Sequence, residues 1–237
     1  MQREVNPLAL KRKEKLQSRR LISLLKPKST IAEEYRTIRT NIQFSSIEKD
    51  IRTAIVTSSG PEEGKSTTIA NLAIVFAQQG KKVLLVDADL RRPTMHLTFS
   101  LDNRTGVTNV LTRQATLQQG VRHTEQENLD VLPSGPIPPN PSELLASKMM
   151  KTVLEEALTI YDLILFDTPP VLAVTDAQVL ANLVDGAILV TDRGKTQIEH
   201  AKKAKEQLQN AQAKLLGVIL NNKKRNKSKY EYYYGVK

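Results

Sequence analysis

A chain of 237 residues, 40% of them hydrophobic, is long enough to bury one sizeable core. Its lack of cysteine excludes disulfides and thiolate metal sites, and His96, His123 and His200 lie far apart in sequence, so oxygen-coordinated cations such as magnesium are the metals to expect. The net charge of +10 first suggests nucleic acid, but residues 1–28 carry +7 and residues 223–237 carry +5, leaving −2 between them. Basic ends of this kind suit an anionic membrane surface or an acidic partner, or are simply solvated, and nucleic acid is not the expected partner.

In chain order, residues 1–28 read as a basic, flexible N-terminal segment, too polar at MQREVNPLALKRKEKLQSRR for a secretory signal. Thr30-Ile31-Ala32-Glu33 reads as a capping box opening a helix, and Ile31, Tyr35, Ile38 and Ile42 follow as its apolar stripe. Short apolar runs then recur at 53–57, 82–87, 163–167, 186–191 and 214–220, with a weaker one, LDVLPSG, at 129–135. Helix-like stretches at 65–79, 142–160, 176–184 and 195–211 separate most of them. Continuous apolar strands alternating with helices predict an α/β fold, a doubly wound, mostly parallel sheet with helices on both faces. The expected folded domain is 29–222, followed by a basic linker and tail at 223–237. No run reaches the roughly 18 apolar residues of a membrane span. A cysteine-free chain without a span is expected in the cytoplasm.

Three strand ends carry chemistry. SSGPEEGKST at 58–67 follows an apolar strand and opens a helix, the setting of a phosphate-binding P-loop. Its backbone N–H groups converge on an anion, Lys65 reaches the outer phosphates, Ser66 is a magnesium ligand, and Gly64 allows close approach. Ser59 stands where the usual pattern has its first Gly; Gly60, Glu63 and Thr67 complete the candidate nucleotide loop. In VLLVDADLRRP at 83–93, Asp87 and Asp89 leave the carboxyl end of a buried strand and point the same way. They suit magnesium and proton acceptance; sheet-edge capping is the plainer reading of Asp87 alone. In LILFDTPP at 163–170, Asp167 closes an apolar run as the metal-binding aspartate of P-loop enzymes does, and Pro169 and Pro170 turn the chain outward. A fourth feature is the end of the chain, where four of the six tyrosines, Tyr230, Tyr232, Tyr233 and Tyr234, follow the linker KKRNKSK. That cluster could stack on bases, anchor at a membrane interface, supply acceptor hydroxyls, or be a compositionally biased tail.

Eukaryotic-type kinase signatures are missing. With SGPIPPNPSELL at 134–145, the three motifs and the tyrosine cluster resemble the bacterial tyrosine kinases (BY-kinases), most closely the free kinase half of the split type linked to capsule or biofilm exopolysaccharide. The resemblance spans roughly residues 29–237. It implies a P-loop fold of the Min/Par kind, ATP and Mg²⁺ bound by Lys65 and Ser66, and Asp87, Asp89 and Asp167 serving the metal and the catalytic base. It also implies autophosphorylation at the four tail tyrosines and a subunit ring joined through Glu33, Arg36 and Arg39. For Glu33, helix capping explains the residue equally well. A matching Asn in related ATPases contacts adenine, which extends that role to Asn221, although Asn is also a common turn residue at a strand end. The implied partners are a transmembrane adaptor recruiting the chain to the inner face of the cell membrane, tyrosine-bearing protein substrates, further copies of the chain, and a cognate phosphotyrosine phosphatase. Glu62 stands where the family usually has Gly, an expected loss of loop flexibility. Partitioning ATPases of the Min/Par kind, which bind membrane or DNA, are the alternative; their signature Lys is replaced here by Gly60.

Overall fold

The computed structural model describes residues 21–45 and 50–222. Among these residues, β1 (Thr53–Ser58), β2 (Val83–Asp87), β3 (Arg122–His123), β4 (Leu129–Leu132), β5 (Leu163–Asp167), β6 (Gly186–Asp192) and β7 (Leu215–Asn221) form one sheet in the order β3-β4-β2-β5-β1-β6-β7. Every neighbouring pair is parallel except β3 with β4. The P-loop core is therefore the expected α/β architecture.

Alternate residues of the central strands feed two separate cores. Ala54, Val56, Leu85, Leu163 and Leu165 pack under α2 (Thr30–Phe44) and α3 (Lys65–Ala77). Ile55, Leu84, Val86, Ile164 and Phe166 pack on the opposite layer, which includes α5 (Val107–Leu111), α7 (Pro141–Leu145), α8 (Lys148–Leu158), α9 (Asp176–Ala181) and α10 (Ile198–Asn210). Short turns α1 (Ile22–Leu25), α4 (Met95–Thr98) and α6 (Leu117–Gly120) fill the connections. Helix α3 is buried at every residue from Thr68 to Ala77. Each large apolar side chain there contributes about 1.5–3 kcal/mol by leaving water, and the helix starts at the mouth of the sheet, where its free N–H groups face the site.

Four expectations are corrected. Helix α2 is capped by Ser29, whose hydroxyl accepts from Ala32 N, so Thr30 and Glu33 form no capping box. The apolar stripe is rotated: Ile31 is exposed while Ala32 is fully buried, because Ala32, Tyr35, Ile38 and Ile42 form the inward face. The folded part begins before residue 29. Leu21 is buried, the Ser23 amide donates to Asn71 Oδ1 at 2.9 Å, and the Ser23 carbonyl accepts from Gln78 Nε2 at 3.1 Å, docking α1 onto α3. The single helix expected at 142–160 is two, because Ser147 leaves helical geometry and caps α8.

Candidate functional site

The P-loop lies between β1 and α3. Gly64, the N-cap of α3, has φ 88° and ψ 15°, a left-handed conformation that Gly holds without strain. A Cβ there would sit 2.1 Å from Asn221 Nδ2, so the position admits no side chain. Ser59, the departure from the usual pattern, is explained by Glu63: the Ser59 amide donates to Glu63 Oε2 at 2.9 Å and its hydroxyl to Oε1 at 2.7 Å. Thr196 donates to the same carboxylate at 2.6 Å, and Asn221 Nδ2 donates to the Glu63 carbonyl at 3.1 Å. The Glu63 side chain is thus a buried tie between the P-loop and the loop after β6, and Asn221 braces the turn from β7. Gly60 would tolerate a Cβ, whose closest contact, Glu63 Oε1, is 3.6 Å away. Glu62 takes φ 59°, the left-handed conformation a Gly at that position would favour, and pairs with Lys195 at 2.7 Å. Ser66 and Thr67 sit half-buried in the first turn of α3.

The three aspartates converge as their strands dictate. Asp87 and Asp167 are register partners on adjacent parallel strands, and both are fully buried. Asp89 follows two residues beyond β2. Lys65 Nζ lies among them, donating to Asp89 Oδ2 at 3.0 Å, Asp167 Oδ1 at 3.3 Å and Ser66 Oγ at 3.2 Å. Burial pulls the Lys65 ammonium down, but Asp167 and Asp89 outweigh it and raise its pKa. Burial, reinforced by Asp167, pushes the Asp87 carboxyl up to about 8, against backbone donation from Met95 and Thr94 to its Oδ2. Asp167 is also raised, first by burial, with Lys65 opposing.

Two oxygens, Asp87 Oδ1 and Asp167 Oδ2, are buried without a hydrogen-bond partner. An unsatisfied buried carboxylate oxygen is costly, and a cation would satisfy it. Among the described residues no three His, Cys, Asp or Glu side chains form a metal cage on their own. Magnesium rarely needs one: it keeps waters and takes one or two carboxylates with nucleotide phosphates. Ser66, Asp87, Asp89 and Asp167 fit that half-open donor set.

Long-range structure missed in the sequence reading supports this centre. Arg91 Nε donates to the fully buried Asp176 at 3.0 Å, and Ser142 donates to the same carboxylate at 2.6 Å, locking the turns after β2 and β5 to α7. Ala88 N donates to Asp167 O at 2.9 Å, and Thr57 Oγ1 to Pro169 O at 2.8 Å. Arg91 and Asp176 are 85 positions apart, so no local signal in the sequence linked them. In the first half of α2, Glu33 pairs with Arg36 and Arg36 Nη2 donates to Pro27 O at 2.6 Å, and farther along Arg39 Nη1 donates to Val75 O at 2.8 Å. Tyr230, Tyr232, Tyr233 and Tyr234 lie outside the described residues.

A family model described as an AAA domain matches residues 52–224. Tyrosine-protein kinase YwqD of Bacillus subtilis (strain 168) is 55% identical over 219 residues, 92% of this chain and 92% of that protein. Putative tyrosine-protein kinase CapB of Staphylococcus aureus is 46% identical over 211 residues, 89% of this chain and 92% of that protein. The solved structure of the chimerical protein CapA2B2 matches with a TM-score of 0.85 at 42% identity, covering 87% of this chain and 91% of that one.

Proposed function

Because the chain belongs to the bacterial tyrosine-protein kinase family and is a protein-tyrosine kinase, we propose that Lys65, Asp87, Asp89 and Asp167 form the centre that moves the terminal phosphoryl of ATP to tyrosine hydroxyls, the chain's own tail among them. One observation carries this reading: a P-loop lysine and three buried aspartates meet at the carboxyl edge of the sheet, with two carboxylate oxygens left unsatisfied.

The P-loop amides and Lys65 orient the nucleotide phosphates and stabilise charge on the transferring group. Ser66, Asp87, Asp89 and Asp167 would hold Mg²⁺, which when bound supplies further neutralisation of that charge. A tyrosine hydroxyl has a pKa near 10, so only about one in a thousand is ionised at pH 7. A base is needed. Asp87, fully buried beside its register partner Asp167 at the carboxyl edge of the sheet, is the carboxylate placed to take that proton. Asn221 Nδ2 donates to the Glu63 carbonyl of the P-loop, which supports its assignment to the adenine side of the nucleotide site.

The finer assignments rest on the resemblance. The tail tyrosines are the acceptors; Glu33, Arg36 and Arg39 join copies into a ring; the product is reset by a phosphotyrosine phosphatase; and the pathway served is capsule or exopolysaccharide synthesis. No helix among the described residues is long and apolar enough to cross a membrane, which is in keeping with recruitment by a transmembrane adaptor. The test is transfer of label from γ-labelled ATP to the purified chain, with phosphotyrosine detection, beside Lys65→Ala. Label on tyrosine should fall by about a hundredfold or more in the variant. Phosphate release without protein label, even with an adaptor segment added, would move the chain to the positioning-ATPase class.

A further inference from the structure

We propose that Lys65 is the resident cation of the aspartate cluster in the nucleotide-free protein, so that divalent metal is kept out of the site until a nucleotide draws the lysine away. The inference rests on the nucleotide-binding reading given above and adds an order of events to it.

Lys65 Nζ contacts three of the four groups assigned to the metal: Asp89 Oδ2 at 3.0 Å, Asp167 Oδ1 at 3.3 Å and Ser66 Oγ at 3.2 Å. Its side chain is 12% exposed, that of Asp89 7% and that of Asp167 0%, so solvent screens these contacts weakly. An ammonium sits about 3 Å from its acceptors, whereas magnesium demands about 2.0–2.1 Å. Lys65 already takes one oxygen of Asp89 and one of Asp167, and its repulsion of a second cation in a buried site opposes joint occupancy. The lysine is a point charge on a flexible four-carbon stem, able to swing without moving the backbone. A polyphosphate at the P-loop amides offers it a richer set of oxygens a short distance away. That swing frees the carboxylates and brings the neutralising anion in the same step. Two cations and the phosphates can then coexist, where lysine and metal alone could not.

The carboxylates would also repel each other if left without any cation. Removing the lysine charge therefore does more than delete a phosphate contact: it turns the cluster into a metal site that needs no nucleotide. The experiment uses Mn²⁺, followed by the loss of its free-ion electron paramagnetic resonance signal, with the full chain and no nucleotide present. Lys65→Met and Lys65→Gln are compared with the wild-type chain; the second variant keeps a polar group in place should the apolar one perturb folding, and circular dichroism confirms that each is folded. Both variants should bind Mn²⁺ at least about tenfold more tightly than the wild type and should melt at higher temperature when it is added. Equal Mn²⁺ affinity in the three proteins overturns the assignment. A parallel titration of the wild type with ADP present, compared with Mn²⁺ and ADP without protein because ADP itself binds the ion, distinguishes the two claims. If Mn²⁺ is then still not taken up, the nucleotide-site reading falls, whereas the comparison without nucleotide decides the counter-ion role by itself.

Discussion

Asp87 shows how one residue ties folding to chemistry. Its carboxyl is raised to about 8 from 3.8, first by burial and then by Asp167 across the register. In the unfolded chain that group loses its proton near its ordinary value, while the folded chain keeps it. Between those two values the folded state binds more protons, so stability of the nucleotide-free protein falls as pH rises and is greatest at the acidic end of the window. Urea-unfolding midpoints from about pH 5 to pH 8 should decline for the wild type and decline less for Asp87→Asn. An equally steep decline in the variant would remove Asp87 as the cause. Gly64 makes the complementary case: its φ of 88° and the 2.1 Å approach of Asn221 Nδ2 leave no room for a Cβ. Gly64→Ala should cost on the order of 1–3 kcal/mol and abolish nucleotide binding, read by melting and by fluorescent-ADP titration. Lys65, Ser66, Gly64 and the aspartates were legible in the sequence because each sits at a strand end, where P-loop chemistry has a fixed spacing. The destination of the Glu63 side chain was not. Two of its bonds come from nearby Ser59, but the third comes from Thr196, 133 residues away, for which there is no local signal.

At the scale of elements, the strands were legible because buried parallel strands are short unbroken apolar runs, and the five strong runs each became a strand within a residue or so at either end. Local rules failed where two of them competed. Thr30 and Ser29 are both plausible caps, and only packing of Ala32 against the core selects Ser29. The run at 142–160 lacks Gly or an internal Pro, so the break at Ser147 could not be separated from a continuous helix by periodicity. Strand β3 is two residues long and antiparallel, too short to leave a pattern. The loop after β6 gives this scale its own prediction. Thr196 and Lys195 reach Glu63 and Glu62, so two links tie that loop to the P-loop. The Lys195 pair is exposed and worth little; the Thr196 hydroxyl meets a buried carboxylate and carries the coupling. Thr196→Val should therefore release fluorescent ADP faster by about tenfold, measured by stopped flow. Lys195→Ala should change the rate by less than about twofold, and the reverse order would contradict this division.

Across the whole molecule, the sheet order sets the direction of every chemical group. Strands β1, β2, β5, β6 and β7 are parallel, so the P-loop, the aspartates and the chain leaving Asn221 all emerge at one edge. From Asn221 to Tyr230 the chain can span at most about 30 Å. That reach allows transfer to the chain's own site in principle, while the proposed ring of copies would spare the tail a turn back over its own nucleotide. Transfer between copies is thus the arrangement to expect in a ring. Phosphorylation of the proposed acceptor tyrosines would add nearly two negative charges each to a segment carrying +5 and weaken whatever that positive charge holds.

The most direct measurement mixes two defective chains. One carries Lys65→Ala and keeps its tail tyrosines; the other keeps Lys65 but has Tyr230, Tyr232, Tyr233 and Tyr234 changed to Phe. Incubated with γ-labelled ATP and an adaptor segment, neither should become labelled on tail tyrosines alone, while together the Lys65→Ala chain should acquire phosphotyrosine on its tail. Label that appears on the Lys65→Ala chain by itself, or never appears in the mixture although the wild type labels normally, would contradict a Lys65-centred site acting on the tail of a neighbouring copy.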